Sequence, residues 1–122
     1  MKIMKLLIVD DSEIIRDAIE EWLSKFNLEI VGRAGTGLEA IELFKTRQPD
    51  VVTLDITMPD LDGLEALDQM MKINNNVTII IISALSAKEI ALSALKKGAA
   101  LFVNKPFTRE ELHEAFEEAI GD

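Results

Sequence analysis

Apolar residues along this chain follow two alternating rhythms. Short, largely apolar runs at residues 5–9, 29–33, 51–54, 77–83 and 100–103 predict strands, and the segments between them carry apolar residues at helical spacing. The run Val77-Thr78-Ile79-Ile80-Ile81-Ile82 is β-branched throughout and has no polar alternation. That predicts a strand buried on both faces, as in a parallel sheet covered by helices above and below. The helices are marked by their starts. Thr36-Gly37-Leu38-Glu39, Ser86-Ala87-Lys88-Glu89 and Thr108-Arg109-Glu110-Glu111 each read as a capping box, and Asp62-Gly63-Leu64-Glu65 is a looser version. A first helix is expected from near Ser12, with Ile15, Ala18, Ile19, Trp22 and Phe26 on one stripe. Gly98, after Lys96-Lys97, reads as a helix stop, and Lys105-Pro106-Phe107 as a break before the last helix.

A βα unit repeated five times, without linker or low-complexity segment, predicts one α/β domain over residues 1–122. Right-handed crossovers make it a doubly wound, five-stranded parallel sheet of flavodoxin-like order 2-1-3-4-5, flanked by five helices. In such a sheet the first and third strands are neighbours, and ligands bind beyond their carboxyl ends.

The residues expected at that edge carry chemistry. Asp10-Asp11 ends the first apolar run, Asp55 the third and Lys105 the fifth, while Ser83 closes the fourth. Three convergent carboxylates raise one another's pKa, and a hard divalent cation with oxygen ligands, Mg²⁺ or Ca²⁺, would relieve them. Each residue alone also has a plainer reading. Asp11 could be only a helix N-cap, Asp55 an ordinary loop acid, Ser83 a polar strand end and Lys105 a snorkelling strand-end lysine. The joint arrangement outweighs them. The Lys105-Pro106 bond is one where a cis peptide is allowed. Phe102 and Trp22 are expected in the core, Met70-Met71 in helix packing, and His113, among glutamates, on the solvated surface with no catalytic role.

Bulk composition narrows the setting. At 122 residues and 48% hydrophobic the chain can build a core, and with no cysteine it has neither disulfides nor a thiolate metal site. A net charge of −9 argues against direct nucleic-acid binding and against anionic membrane. The first apolar run is too short for a signal peptide or a membrane span, so a cytoplasmic setting without membrane insertion is expected.

Together these residues resemble the receiver domain of two-component response regulators. The resemblance runs through Asp10-Asp11, Leu54-Asp55-Ile56-Thr57-Met58-Pro59 with Asp62-Gly63, Ser83-Ala84 and Lys105-Pro106-Phe107, over essentially the whole chain. It implies that Asp55 is a phosphoacceptor, charged by the phosphohistidine of a histidine kinase. It implies that Mg²⁺ is held by Asp11 directly, by Asp10 largely through water, by Asp55 and by the backbone carbonyl of Thr57. Lys105 would contact the acyl phosphate and the Ser83 hydroxyl would hydrogen-bond it. Phe102, where many members have tyrosine, matches the switch aromatic that turns inward when Ser83 moves. Output would pass through the face of the fourth helix, fifth strand and fifth helix. The resemblance implies a signalling phosphoacceptor rather than an enzyme acting on a separate substrate.

Other classes fit less well. A haloacid-dehalogenase-type phosphatase would want a second acid where Thr57 stands, and a flavodoxin-like cofactor carrier would not place Asp10-Asp11 against a phosphate. A scaffold that merely kept the fold would be expected to lose some acids or the lysine. Within the family, a stand-alone chemotaxis regulator of the CheY kind fits best. Its expected partners are a CheA-like histidine kinase, a flagellar motor switch protein or relay partner, and a phosphatase. A phosphorelay intermediate, or a receiver excised from a larger transcriptional regulator, is the alternative.

Overall fold

A computed structural model describes residues 3–58, 60, 63–84 and 88–121. Five strands alternate with five helices: β1 (Met4–Val9), α1 (Glu13–Trp22), β2 (Leu28–Ala34), α2 (Gly37–Arg47), β3 (Val51–Leu54), α3 (Gly63–Ile73), β4 (Thr78–Ser83), α4 (Lys88–Lys96), β5 (Leu101–Asn104) and α5 (Arg109–Ile120). The strands form one sheet in the order β2-β1-β3-β4-β5, every pair parallel. The expected architecture and order are the observed ones. Strand ends differ from the sequence reading by one residue, and β3 by none.

Period-two alternation between two covered faces explains why the central strands β1, β3 and β4 are largely apolar. Leu7, Val9, Val52, Leu54, Ile79 and Ile81 point into a layer shared with α2, α3 and α4. Their alternates, Leu6, Ile8, Val51, Ile80 and Ile82, point into the layer under α1 and α5. Each such buried aliphatic side chain stabilises the fold by about 1.5–3 kcal/mol, so a polar residue within a run has an evident cost. The acids therefore appear where the runs end.

Local chemistry sets the helix boundaries. Ser12 caps α1, its side chain accepting from the N–H of Ile15 at 3.3 Å. Thr108 and Glu111 form the expected reciprocal box on α5. On α2 the box is only half made. Thr36 accepts from the N–H of Glu39, but the Glu39 carboxylate reaches past it to the N–H of Gly35. The proposed box at Ser86 and the looser one at Asp62 have their first residues outside the described ones. Gly98, at φ +112°, ends α4 in a Schellman motif: its N–H bonds to the carbonyl of Leu95, and that of Ala99 to Ala94.

Two expectations about large side chains need correction. His113 is not solvated. It is half-buried, one ring nitrogen against the carbonyl oxygen of Trp22 and its ring 5.5 Å from Phe26, edge to face. Its place is set by i, i+3, i+7 spacing with Phe116 and Ile120, which overrides its glutamate neighbours. Trp22 is half-buried rather than deep in the core, packed edge-on against Phe107 at 5.8 Å. No helix among the described residues is long and apolar enough to cross a membrane.

Candidate functional site

At the carboxyl edge of the sheet, β1 and β3 end side by side. Val9 pairs with Leu54, and the N–H of Asp55 continues the ladder to the carbonyl of Val9 at 2.9 Å. Asp10 is tied to the other neighbour through its N–H to the carbonyl of Ala34. Both aspartates are thus set by sheet hydrogen bonding rather than by loop conformation. Each is only 1% exposed. Asp11 follows on the exposed side. Because Ser12 supplies the cap of α1, Asp11 is left without the plain capping role the sequence allowed.

Asp10, Asp11 and Asp55 each offer a carboxylate oxygen within 4.8 Å of the others. Lys105, which follows β5 and precedes a cis bond to Pro106, reaches across from the far edge. Its Nζ lies 2.7 Å from Asp10 Oδ2 and 3.5 Å from Asp55 Oδ2. Asp10 Oδ2 is buried, and this close ion pair with the Lys105 ammonium is its contact among the described residues. Asp10 Oδ1 accepts from the N–H of Ser12 at 2.9 Å. Burial pushes the Asp10 carboxyl above its ordinary range, Lys105 and the Ser12 N–H pull it back, and the charge of Asp55 adds to the rise. For Lys105, burial works downward, but the closeness of Asp10 and the charges of Asp55 and Asp10 outweigh it, and its pKa is raised. Lys105 therefore stands as a firm ammonium between two buried acids.

The donor set suits a hard ion. It is made of carboxylate oxygens crowded enough to repel one another, two of them from almost wholly buried acids that share one ammonium. A thiophilic metal has nothing to bind there.

Thr57 and Ser83 also come to this edge. Thr57 holds Asp55 through two donors, its N–H at 3.0 Å and its hydroxyl at 2.7 Å, both to Oδ1. Ser83 ends β4 fully buried, and its carbonyl accepts from the N–H of Lys105. Phe102 pairs with Ile81 in the β4–β5 ladder, half-buried against the layer that α4 shares. Pro59 and Asp62 lie outside the described residues.

Three supports escaped the sequence reading. Arg16, one turn into α1, donates to the carbonyl of Asp10 at 2.6 Å. Asp60 places Oδ1 on the N–H of Gly37 at 2.8 Å and Oδ2 on that of Leu38 at 3.0 Å, tying the loop after Asp55 to the start of α2. Gly63 lets α3 start directly against that loop, since a Cβ there would stand 2.1 Å from the Cα of Ile56. Arg16 was findable from its i+4 spacing to the Ser12 cap. The other two depend on how distant segments meet.

Comparisons with known proteins agree with this fold. The chain is 43% identical over 116 residues to the chemotaxis protein CheY of Listeria monocytogenes, covering 95% of this chain and 98% of that one. It is 48% identical over 105 residues to a protein-glutamate methylesterase/protein-glutamine glutaminase of Syntrophomonas wolfei, covering 84% of this chain but 30% of that longer protein. Among solved structures, the CheX-CheY-BeF3-Mg complex of Borrelia burgdorferi superposes with a TM-score of 0.93 at 32% identity, over 98% of this chain and 90% of that one. Residues 6–117 match the response regulator receiver domain. The chain belongs to that family.

Proposed function

We propose that this protein is a single-domain response regulator that accepts a phosphoryl group on Asp55 from a histidine kinase and signals through the α4-β5-α5 face, most simply in chemotaxis. The observation that carries the reading is the meeting of Asp10, Asp11 and Asp55 with the ammonium of Lys105 at the β1–β3 edge. An Asp55 oxygen attacks phosphorus, an O–P bond forms, and the bond to the donor's histidine nitrogen, or to the acetate of acetyl phosphate, breaks. Thr57 holds the Asp55 carboxylate in a fixed orientation for that attack. Lys105 contacts the acyl phosphate formed, and the Ser83 hydroxyl donates to it. Mg²⁺ would be held by Asp11, by Asp10 largely through water, by Asp55 and by the carbonyl of Thr57. When bound, it supplies charge that screens the approach of two anions. Movement of Ser83 toward the new phosphoryl group opens space for Phe102 to turn inward, and close packing makes that change two-state.

The relatives favour the chemotaxis assignment, with a CheA-like kinase, a flagellar motor switch protein and a phosphatase as partners in the cytoplasm. The match to 30% of a longer Syntrophomonas wolfei protein favours a second reading, a receiver working inside a larger regulator or relay. Intact mass after incubation with acetyl phosphate, with and without Mg²⁺ and beside Asp55→Asn, tests the chemistry. The expected result is a phosphoryl adduct that needs both Mg²⁺ and Asp55. No adduct under these conditions, nor with a panel of phosphorylated histidine kinases, sinks it. Transfer rates across that panel, with and without the chemotaxis kinase, separate the two readings.

A further inference from the structure

The segment after β3 carries Asp55 and Thr57, and its own contacts do not fix where it lies. Thr57 grips Asp55 through two donors, but both residues belong to the segment and can move together. Ile56 and Met58 sink into the layer shared with α2 and α3, a non-directional contact that sets depth alone. The directional anchor comes at Asp60. Its carboxylate spans the first turn of α2, Oδ1 on the N–H of Gly37 at 2.8 Å and Oδ2 on that of Leu38 at 3.0 Å.

α2 already has a cap of its own. Thr36 takes the N–H of Glu39 on its hydroxyl and that of Ala40 on its carbonyl. A second acid, 23 residues from Gly37 and with both oxygens on the same terminus, is therefore a tie on the segment that bears it. Charge-assisted bonds at the positive end of a helix make that tie a strong one. α2 in turn is seated on the frame of the site. Ala40, Ile41 and Phe44 share a core layer with Val9, which precedes Asp10, and with Ala34, whose carbonyl holds the Asp10 N–H.

We propose that Asp60 is a positioning residue for the reaction at Asp55. By tying residues 55–60 to α2, it holds the Asp55 carboxylate and the Thr57 carbonyl in register with Asp10 and Asp11. This role rests on the proposed receiver chemistry and adds to it a residue outside the acid cluster.

Asp60→Ala is set against Thr36→Ala, which uncaps the same helix but leaves the tie in place. Two readouts are taken on the full chain: Mg²⁺ affinity of the unmodified protein by calorimetry, and the rate of adduct formation from acetyl phosphate at saturating Mg²⁺. Asp60→Ala should weaken Mg²⁺ binding about threefold and slow the adduct about tenfold. Loss of an anion by itself would speed the approach of acetyl phosphate, so slowing has the opposite sign to a charge effect. Asp60→Asn keeps one acceptor oxygen for two N–H donors and should slow the adduct about threefold. Thr36→Ala should lose stability in urea melts yet change both readouts by less than about twofold. Equal slowing by Thr36→Ala and Asp60→Ala would mean ordinary helix capping and overturns the proposal. So does an Asp60→Ala protein that keeps the parent's rate and affinity. If Asp60→Ala does not fold, Asp60→Asn against Thr36→Ala decides by the same criteria. A parent that forms no adduct sinks the receiver chemistry, while Mg²⁺ affinity still decides Asp60. A parent that binds no Mg²⁺ leaves Asp60 nothing to position and overturns its role as well.

Discussion

The acids of this molecule live under two regimes. At the sheet edge, Asp10 and Asp55 are almost wholly buried, fixed by ladder hydrogen bonds and set against one shared ammonium. Along α5, five glutamates accompany a single arginine, and Glu111, Glu114, Glu117 and Glu118 have no cation within ion-pair distance among the described residues. The richer acidic sequence is on α5, yet the buried, convergent carboxylates are at the edge. Burial, not the density of carboxylates, makes a charge costly and therefore reactive, because only there does a neighbouring charge act through low dielectric. On α5 the same groups are exposed to solvent, which screens them.

Removing the shared cation should break this contrast most severely. Lys105→Met leaves two buried carboxylates facing each other, and a cost of about 3 kcal/mol at neutral pH is expected from chemical denaturation in the presence of EDTA. The sign follows from linkage. The folded pKa of Lys105 is raised, so its stabilising contribution is fully present below its ordinary value of 10.5 and is lost only as pH rises through the higher folded value. A variant as stable as the parent at pH 7 would show that Lys105 is not holding the acids together.

The edge can also be broken sterically, without touching a charge. Gly63→Ala puts a Cβ against the backbone of Ile56, directly after Asp55. Neither segment can yield without moving the loop, so a loss of about 2 kcal/mol is expected. The acetyl phosphate adduct should slow with it, because Asp55 is displaced. The contrast would be sharpened by Glu117→Ala, also a helix substitution, which should leave adduct formation unchanged.

How much of this was legible beforehand varies with the physics involved. Ile79 to Ile82 announced a doubly covered strand because no alternation of side chains survives between two apolar layers. The edge acids were legible because each ends an apolar run, and sheet order then brings the ends together. β2 was read shorter than it is, and its slip was hidden. Leu6 pairs with Ile30 but Leu7 with Gly32, so Val31 is passed over, a bulge that no local pattern signals. Asp60 and Gly63 were opaque as to role for the same reason. Their partners, Gly37, Leu38 and Ile56, are fixed only when α2, α3 and the loop after β3 meet. His113 could have been placed by its spacing to Phe116, had its glutamate neighbours weighed less.

Asp10→Asn sharpens the comparison in the opposite direction, since removing a charge here should stabilise. The raised pKa of Asp10 means that the folded chain holds this proton more tightly than the unfolded one. Stability is therefore fully present below the ordinary value of 3.8 and is lost as pH rises through the folded value. Without a divalent ion, Asp10→Asn should gain about 1 kcal/mol at pH 7, and the gain should vanish as pH falls below 3.8. Adding Mg²⁺ should stabilise the parent and leave the variant nearly unmoved, reversing their order. Thermal melts across pH, with and without Mg²⁺, read both. A variant less stable than its parent in EDTA would mean that Asp10 is held chiefly for its pairing with Lys105.

The smallest effect belongs to α5 and is informative because it is small. Glu118 lies in the last turn of its helix, where the carbonyl end of the dipole disfavours an anion, and Glu114 is four residues before it, a like charge on the same face. Neither is engaged in an ion pair among the described residues, so nothing in the fold is lost when they become glutamine. Glu114→Gln/Glu118→Gln should leave stability within about 0.5 kcal/mol of the parent, on the favourable side. A loss of several times that size in urea melts would show that these glutamates are built into the fold. Two carboxylates whose removal leaves stability unmoved are solvated surface charge. Two whose removal reorganises the pH and Mg²⁺ dependence of the whole molecule are a reaction site.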